Sequence, residues 1–226
     1  MEGMQGTKKA PTEISVACLT LGPALTNAYL VADDAAGTAV AIDPAWDGAE
    51  LGAEAERRGW RVTDIWLTHA HFDHFGGAAE LSDRSPAPLP VALHPEDYRL
   101  WKALGGAPWF GFADFDPGPE PTIELAHGMV LRIGRFQVEV RHAPGHTPGH
   151  VLFVSRDPPL AFCGDVIFAG GVGRVDLPGG DGPTLLRSIE QQVLSLPDET
   201  TLYPGHGGTT TVGRERATNP FLDGFS

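Results

Sequence analysis

From Ile14 onward apolar residues alternate with polar or small ones through Val16 and Cys18, the period of a strand with one buried face. Residues 27–32 and 39–42 carry two further strand patterns, with Asp33, Asp34 and Gly37 as turn residues between them. Asp43-Pro44 stops the third strand, residues 50–58 predict a helix, and Gly59 closes it. Residues 62–68 form an apolar run of buried-strand length. A helix is predicted over 75–81, a short strand over 91–94, and a proline-opened helix over 95–104. Strand patterns return at 129–133, 137–141, 151–155 and 160–163. Residues 184–194 predict a helix with Leu185, Ile189 and Val193 on one stripe, and 201–203 a last strand.

Each half therefore runs strands and then helix, which predicts two packed sheets flanked by helices. With no low-complexity linker or charge block in between, residues 13–226 are expected to form one domain, preceded by a frayed tail at 1–12. Between residues 105 and 121 glycine, proline and four rings (Trp109, Phe110, Phe112 and Phe115) make a long loop. Such a loop serves either as a substrate lid or as a small core of its own, and the pattern leaves both readings open.

Composition narrows the partners. With 16 basic and 29 acidic residues the formal charge is −13, so phosphate backbones would be repelled and nucleic acid is not expected. No stretch approaches membrane-spanning length, and no apolar segment of signal-peptide type follows the first residues. Two cysteines, Cys18 and Cys163, in a chain rich in His and Asp fit a reducing cytoplasm better than a disulfide framework. Cys163 is expected to pack inside its strand.

The candidate chemistry begins where the apolar run 62–68 ends. In Thr68-His69-Ala70-His71-Phe72-Asp73-His74, His69 and His71 point to one side of an extended segment. Asp73 and His74 open the next element and can face the same space. Imidazole and carboxylate together suit Zn, Fe or Mn, and four such groups at one junction can serve a pair of ions about 3.5 Å apart. Three downstream sites repeat the design of a glycine turning the chain just before a ligand-type residue: Pro144-Gly145-His146, Gly164-Asp165 and Pro204-Gly205-His206. His142 and His150 flank the second motif and are expected to hydrogen-bond the turn that aims His146, while His94 and His127 read as ordinary loop residues.

In their order, Thr-His-x-His-x-Asp-His, Pro-Gly-His-Thr-Pro-Gly-His, Gly-Asp and Pro-Gly-His resemble the pattern of the metallo-β-lactamase-fold hydrolases, over residues 14–222. Gly171-Val172-Gly173-Arg174-Val175-Asp176, Gly180-Asp181 and the closing Glu215-Arg216-x-x-Asn219-Pro220-Phe221-Leu222 resemble the short glyoxalase II-like group within it. The resemblance implies an α+β fold, a four-layer αββα sandwich of two mixed sheets flanked by helices. It implies two divalent ions, zinc first and iron or manganese as alternatives. His69, His71 and His146 would hold one; Asp73, His74 and His206 would hold the other; Asp165 would bridge them. It further implies hydrolysis of a glutathione-type thioester such as S-lactoylglutathione by a metal-activated hydroxide. Asp73 would also orient the nucleophile, and Arg174 would contact the substrate.

One departure bears on the substrate. Full-length glyoxalase II has a C-terminal helical domain that completes the glutathione pocket, and here only about twenty residues follow His206. The Gly-Arg-x-Asp loop also resembles persulfide dioxygenases, which would use one iron on His69, His146 and Asp165. A non-catalytic module that binds metal for structure is the alternative of another class. A β-lactamase is disfavoured by the carboxylate of Asp165 at the bridging position, and a flavodiiron module by His71 where that group has glutamate.

Overall fold

The structure, a computed structural model, describes residues 14–112 and 114–223; the tail expected at 1–12 lies outside them. The first sheet runs in chain order from β1 (Ser15–Leu21) through β2 (Thr26–Asp33), β3 (Thr38–Ile42), β4 (Arg61–Trp66) and β5 (Val91–Leu93) to β6 (Ile123–Glu124). Its first three strands pair antiparallel and the rest parallel. The second sheet contains β7 (Val130–Ile133), β8 (Phe136–His142), β9 (Val151–Arg156), β10 (Pro159–Gly164), β13 (Thr201–Pro204) and β14 (Thr210–Thr211). Its order is β14-β13-β10-β9-β8-β7, and only β10 and β13 run parallel. A separate hairpin of β11 (Ile167–Phe168) and β12 (Gly171–Val172) follows β10. Both sheets are mixed and flanked by helices, the α+β four-layer sandwich expected.

Three buried clusters hold the layers together. Between the sheets, Tyr29, Val31, Ile42 and Trp66 meet Val140, Phe153 and Phe162. Outside the first sheet, Leu30, Ala41 and Ile65 pack on Leu51 and Ala55 of α1 (Gly48–Arg57) and on Phe75 and Leu81 of α2 (Phe72–Phe75) and α3 (Ala78–Asp83). Outside the second, Leu152, Val154 and Cys163 pack on Leu185, Ile189 and Val193. With both faces covered, β2 is buried at every position, so its residues 28–32 are apolar without alternating. Cys163 packs in its strand as expected, and both cysteines are free.

Several boundaries differ from the sequence pattern for tertiary reasons. The helix predicted over 75–81 is two short helices, broken at Gly76-Gly77. A side chain at Gly77 would crowd the Gly48 nitrogen and the Pro44 carbonyl at 2.7 and 2.8 Å, so α1 and this turn approach through glycine. The helix predicted over 95–104 opens as a 3-10 turn, Pro95–Asp97, and continues only as α4 (Tyr98–Lys102). That predicted over 184–194 is α5 (Gly182–Ser188), capped by Asp181, followed by a π-turn, Ile189–Val193. The two-residue strands β6, β11, β12 and β14 are too short to carry a period. A final helix, α6 (Val212–Thr218), holds Glu215, whose buried carboxylate accepts from Gly170 N and Asn219 Nδ2 and fastens the β11–β12 hairpin.

Part of the long loop packs as the small core foreseen for it. It begins as a 3-10 segment, Leu104–Phe110. Phe115 turns inward against Phe75 and Trp46, with ring centres 5.6 Å away in each case. Trp109, Phe110 and Phe112 stay largely exposed.

Candidate metal centre

Strand register delivers the ligand-type residues to one edge. In the first sheet Ile42 stands opposite Trp66, so Asp43 and the Thr68–His74 run leave their parallel strands together. In the second, Gly164 stands opposite Pro204, so Asp165 and His206 emerge side by side. His146 lies on the loop between β8 and β9, which the Val151 nitrogen ties to the Thr68 carbonyl at 2.8 Å.

Two trios that share no residue result, His69, His71 and His146, and Asp73, His74 and His206, the donor atoms of each lying within 4.8 Å of one another; Asp43 forms an overlapping trio with His69 and His74. Asp165 lies between the first two. Its Oδ2 is 3.6 Å from His146 Nε2 and 3.5 Å from His206 Nε2, and its Oδ1 is 3.4 Å from His74 Nε2. His206 Nε2 is also 3.4 Å from Asp73 Oδ2, and His71 Nδ1 is 2.9 Å from His146 Nε2. All seven side chains expected from the sequence therefore share one space.

Oxygen acceptors fix which imidazole nitrogen faces that space. His69 Nδ1 lies 3.0 Å from Thr68 Oγ1, whose own proton goes to Asp43, so His69 donates there. His74 Nδ1 donates to Asp43 Oδ2 at 2.9 Å, and His146 Nδ1 to the Arg174 carbonyl at 2.7 Å. Each ring then offers Nε2, the arrangement in which a neighbouring oxygen orients a metal-binding histidine. The Nε2 atoms of His69 and His74 and Oδ1 of Asp165 are buried without a hydrogen-bond partner. Buried polar atoms left this way are costly, and a cation would satisfy them.

The electrostatics divide the two trios. Burial, followed by the charge of neighbouring imidazoles, holds His69 well below the usual histidine range and His71 down at about 3, so both stay neutral lone-pair donors. Burial opposes the proton on His206, but hydrogen bonds to Asp165 and Asp73 outweigh it and raise the ring to about 9. His74 is raised for the same reason, burial being outweighed first by the charge of Asp165. Burial alone would raise Asp73, yet His74 and His206 bring it down to about 2. Without metal, the second trio holds protons where cations would sit.

Sequence reasoning missed the residues that aim this set. Asp43, buried and at a positive φ of 48°, accepts from Thr68 N at 2.7 Å and Thr68 Oγ1 at 2.6 Å besides holding His74. Asp97 is fully buried and accepts from Ala70 N, Thr147 Oγ1 and Gly149 N. Thr26 donates to Asp73 at 2.9 Å, while Asn27 and Tyr29 donate to the Pro204 carbonyl and so pin the His206 turn from the other sheet. An aspartate after a strand, or in a helix's first turn, was the only signal available for Asp43 and Asp97.

The flanking histidines divide. His142 Nε2 donates to the Pro148 carbonyl at 2.8 Å and steadies the His146 turn as expected. His150 instead stacks on His69 and accepts from the Asp165 backbone nitrogen at 3.1 Å, so it aims Asp165. His94 stacks on His142, and His127 Nδ1 accepts from the His142 backbone nitrogen. Arg174 serves the centre through its carbonyl; its exposed guanidinium makes two 2.7 Å bonds to Asp176.

Over five of the seven side chains, His71, Asp73, His146, Asp165 and His206, opens a hollow of about 430 Å³, walled by Pro23, Ala24, Phe72, Phe110, Phe112 and Leu177 with Arg174 also lining it. A larger one, of about 780 Å³, lies along β7–β9 beside Phe136 and Arg156 and includes none of the clustered donors.

The family model of the Metallo-beta-lactamase superfamily matches residues 21–206. The hydroxyacylglutathione hydrolase GloC of Haemophilus influenzae is 34% identical over 200 residues, covering 88% of this chain and 94% of that protein. The human mitochondrial persulfide dioxygenase ETHE1 is 34% identical over 202 residues, covering 87% and 71%. The crystal structure of TTHA1623 in a di-iron-bound form superposes with a TM-score of 0.81 at 43% identity, covering 92% of this chain and all of that one. The chain belongs to the metallo-β-lactamase superfamily.

Proposed function

We propose that this protein is a two-metal thioester hydrolase of the hydroxyacylglutathione hydrolase type. The observation that carries the reading is the pair of complete donor trios with Asp165 between them, at distances of 3.4 to 3.6 Å from imidazoles of both. In this reading His69, His71 and His146 would hold one divalent ion and Asp73, His74 and His206 the other, with Asp165, which lies between the trios, available to both. Zinc suits the imidazole and carboxylate donors, as do iron and manganese; TTHA1623, the structural relative, is known in a di-iron form.

Two divalent ions held at these residues would supply an acidified water as nucleophile and positive charge for the carbonyl oxygen. The protein's own part is orientation. Asp73, held by the Thr26 hydroxyl, orients the nucleophile toward the hollow. Asp43, Thr68 and the Arg174 carbonyl keep three rings in the tautomer that presents Nε2. A thiolate leaves without help from a strong acid, and the site needs none. The Arg174 guanidinium, at the hollow, meets the carboxylates of the thiol carrier by exchanging its bonds to Asp176. We place the enzyme in the cytoplasm on its two free thiols; among the described residues no helix is long and apolar enough to cross a membrane.

The likeness to ETHE1 supports a second reading, a mononuclear iron persulfide dioxygenase built on His69, His146 and Asp165. That reading leaves the trio of Asp73, His74 and His206 without a role, whereas the two-metal hydrolase employs all seven side chains. The test is turnover of S-acylglutathione thioesters, S-lactoylglutathione among them, by the metal-loaded protein. Thioester cleavage is expected. Inert thioester together with oxygen uptake and sulfite release from glutathione persulfide would establish the dioxygenase instead.

A further inference from the structure

Phe72 stands between His71 and Asp73, so the chain that presents two donor side chains presents an aromatic ring with them. Phe110 and Phe112 extend this ring into a wall, with centres 5.5 and 5.6 Å from that of Phe72. Trp46 backs the wall at 5.7 Å from Phe112 and 6.1 Å from Phe72. Phe110 is 46% exposed and Phe112 37%, and both line the hollow over the donor trios. Large rings left open beside a site are a binding surface more often than an accident.

The wall is built in advance. Gly105 and Gly106 take φ of +59° and +78°, and a Cβ on Gly105 would lie 2.7 Å from Phe72 Cα and from the Ala70 carbonyl. Glycine thus lets the 3-10 segment sit directly on the loop carrying His69 and His71. Downstream, Phe112 N donates to the Ala107 carbonyl at 3.0 Å, and Phe115 is anchored on Phe75 and Trp46.

The polar inventory says what kind of group fits. Pro23, Ala24 and Leu177 continue the apolar lining, and Arg174 is the only cationic side chain other than histidine among the described residues that line the hollow. A charged thiol carrier goes with Arg174. The aromatic wall, which offers no hydrogen-bond partner, is left for the acyl chain. The half-exposed rings themselves offer a hydroxyl no partner, whereas an aryl group would stack on them.

We propose that Phe72, Phe110 and Phe112 form an acyl subsite that selects apolar, ring-bearing acyl groups over hydroxyacyl ones. The proposal rests on the thioester hydrolase reading and specifies its substrate class. Its test holds the thiol constant as glutathione and compares acetyl, lactoyl and phenylacetyl thioesters on the metal-loaded full chain. kcat/KM is expected to be at least tenfold higher for phenylacetyl than for lactoyl. Phe110→Ala and Phe112→Ala should each cost the phenylacetyl thioester at least fivefold more than the acetyl one, with Phe112→Leu between. Equal rates across the acyl series, or equal losses on all three thioesters, would overturn it. A calorimetric comparison of phenylacetate with acetate separates this idea from the hydrolase reading. Binding at least tenfold tighter for phenylacetate, lost in Phe112→Ala, with every thioester inert, would leave the aromatic subsite standing and the hydrolase reading fallen. Equal binding of the two acids would overturn the subsite.

Discussion

The hydroxyl of Thr147 donates to the buried carboxylate of Asp97 at 2.7 Å, and that carboxylate also accepts from Ala70 N at 3.0 Å and Gly149 N at 2.6 Å. One side chain thereby joins the loop carrying His69 and His71 to the loop carrying His146. Asp97→Ala would strand three buried donors and is expected to cost about 3 kcal/mol or more. Asp97→Asn, which keeps an acceptor oxygen, should lose less. Urea unfolding of the metal-free protein measures both; an alanine variant within about 1 kcal/mol of the parent would contradict the joint.

Asp43 holds His74 directly and His69 through the Thr68 hydroxyl. Asp43→Asn keeps an oxygen for Thr68 but exchanges the His74 acceptor from carboxylate to amide. Affinity for the ion at Asp73, His74 and His206 is expected to fall roughly 10- to 100-fold, read by competition with a chromophoric chelator. Unchanged affinity would remove Asp43 from the account.

Gly205 tests how closely the two strand ends approach. A Cβ there would land on the Asp165 carboxylate and come within 2.6 Å of His74 Cε1. Gly205→Ala should therefore displace Asp165 and lower metal stoichiometry below that of the parent, while far-ultraviolet circular dichroism still reports the sandwich. Full metal loading in this variant would show that the bridge position is looser than the structure has it.

The metal-free protein should be most stable near pH 6.5. Burial and neighbouring imidazoles hold His71 at about 3 and His69 and His150 well below their ordinary 6.5. Between about 3 and 6.5 the unfolded chain binds more protons, so stability falls as the pH falls through that window. His206 is raised to about 9, and His74 is raised as well. From 6.5 to about 9 the folded chain holds more protons, so stability falls as the pH rises. Metal affinity should move the opposite way over that upper window, since cations displace those protons. Thermal melts and metal titrations from pH 5.5 to 9 check both; metal-free stability still climbing above pH 7 would refute the assignment.

The legible part of this site was the part written in local order. His69, His71, Asp73 and His74 occupy one short run, and His146, Asp165 and His206 each follow a glycine at a strand or loop turn, so residue type and spacing sufficed. The residues that orient them were not legible. Asp97 lies 27 positions from Ala70 and 50 from Thr147, and Asp43 lies 31 from His74, so only the folded sheets reveal them as partners. His150 shows the same limit: its neighbours in sequence suggested the His146 turn, but its nitrogen meets Asp165. For the fold, strand patterns located the long strands, while the break at Gly76-Gly77 depended on the approach of Gly48 and Pro44.

The central claim is a two-ion centre that cleaves thioesters. Metal analysis of the purified protein, paired with S-acylglutathione hydrolysis by the same sample, tests it most directly. Two divalent ions per chain are expected, with thioester turnover that rises and falls with their occupancy. One iron per chain, with oxygen consumed on a persulfide and thioesters left intact, would contradict it.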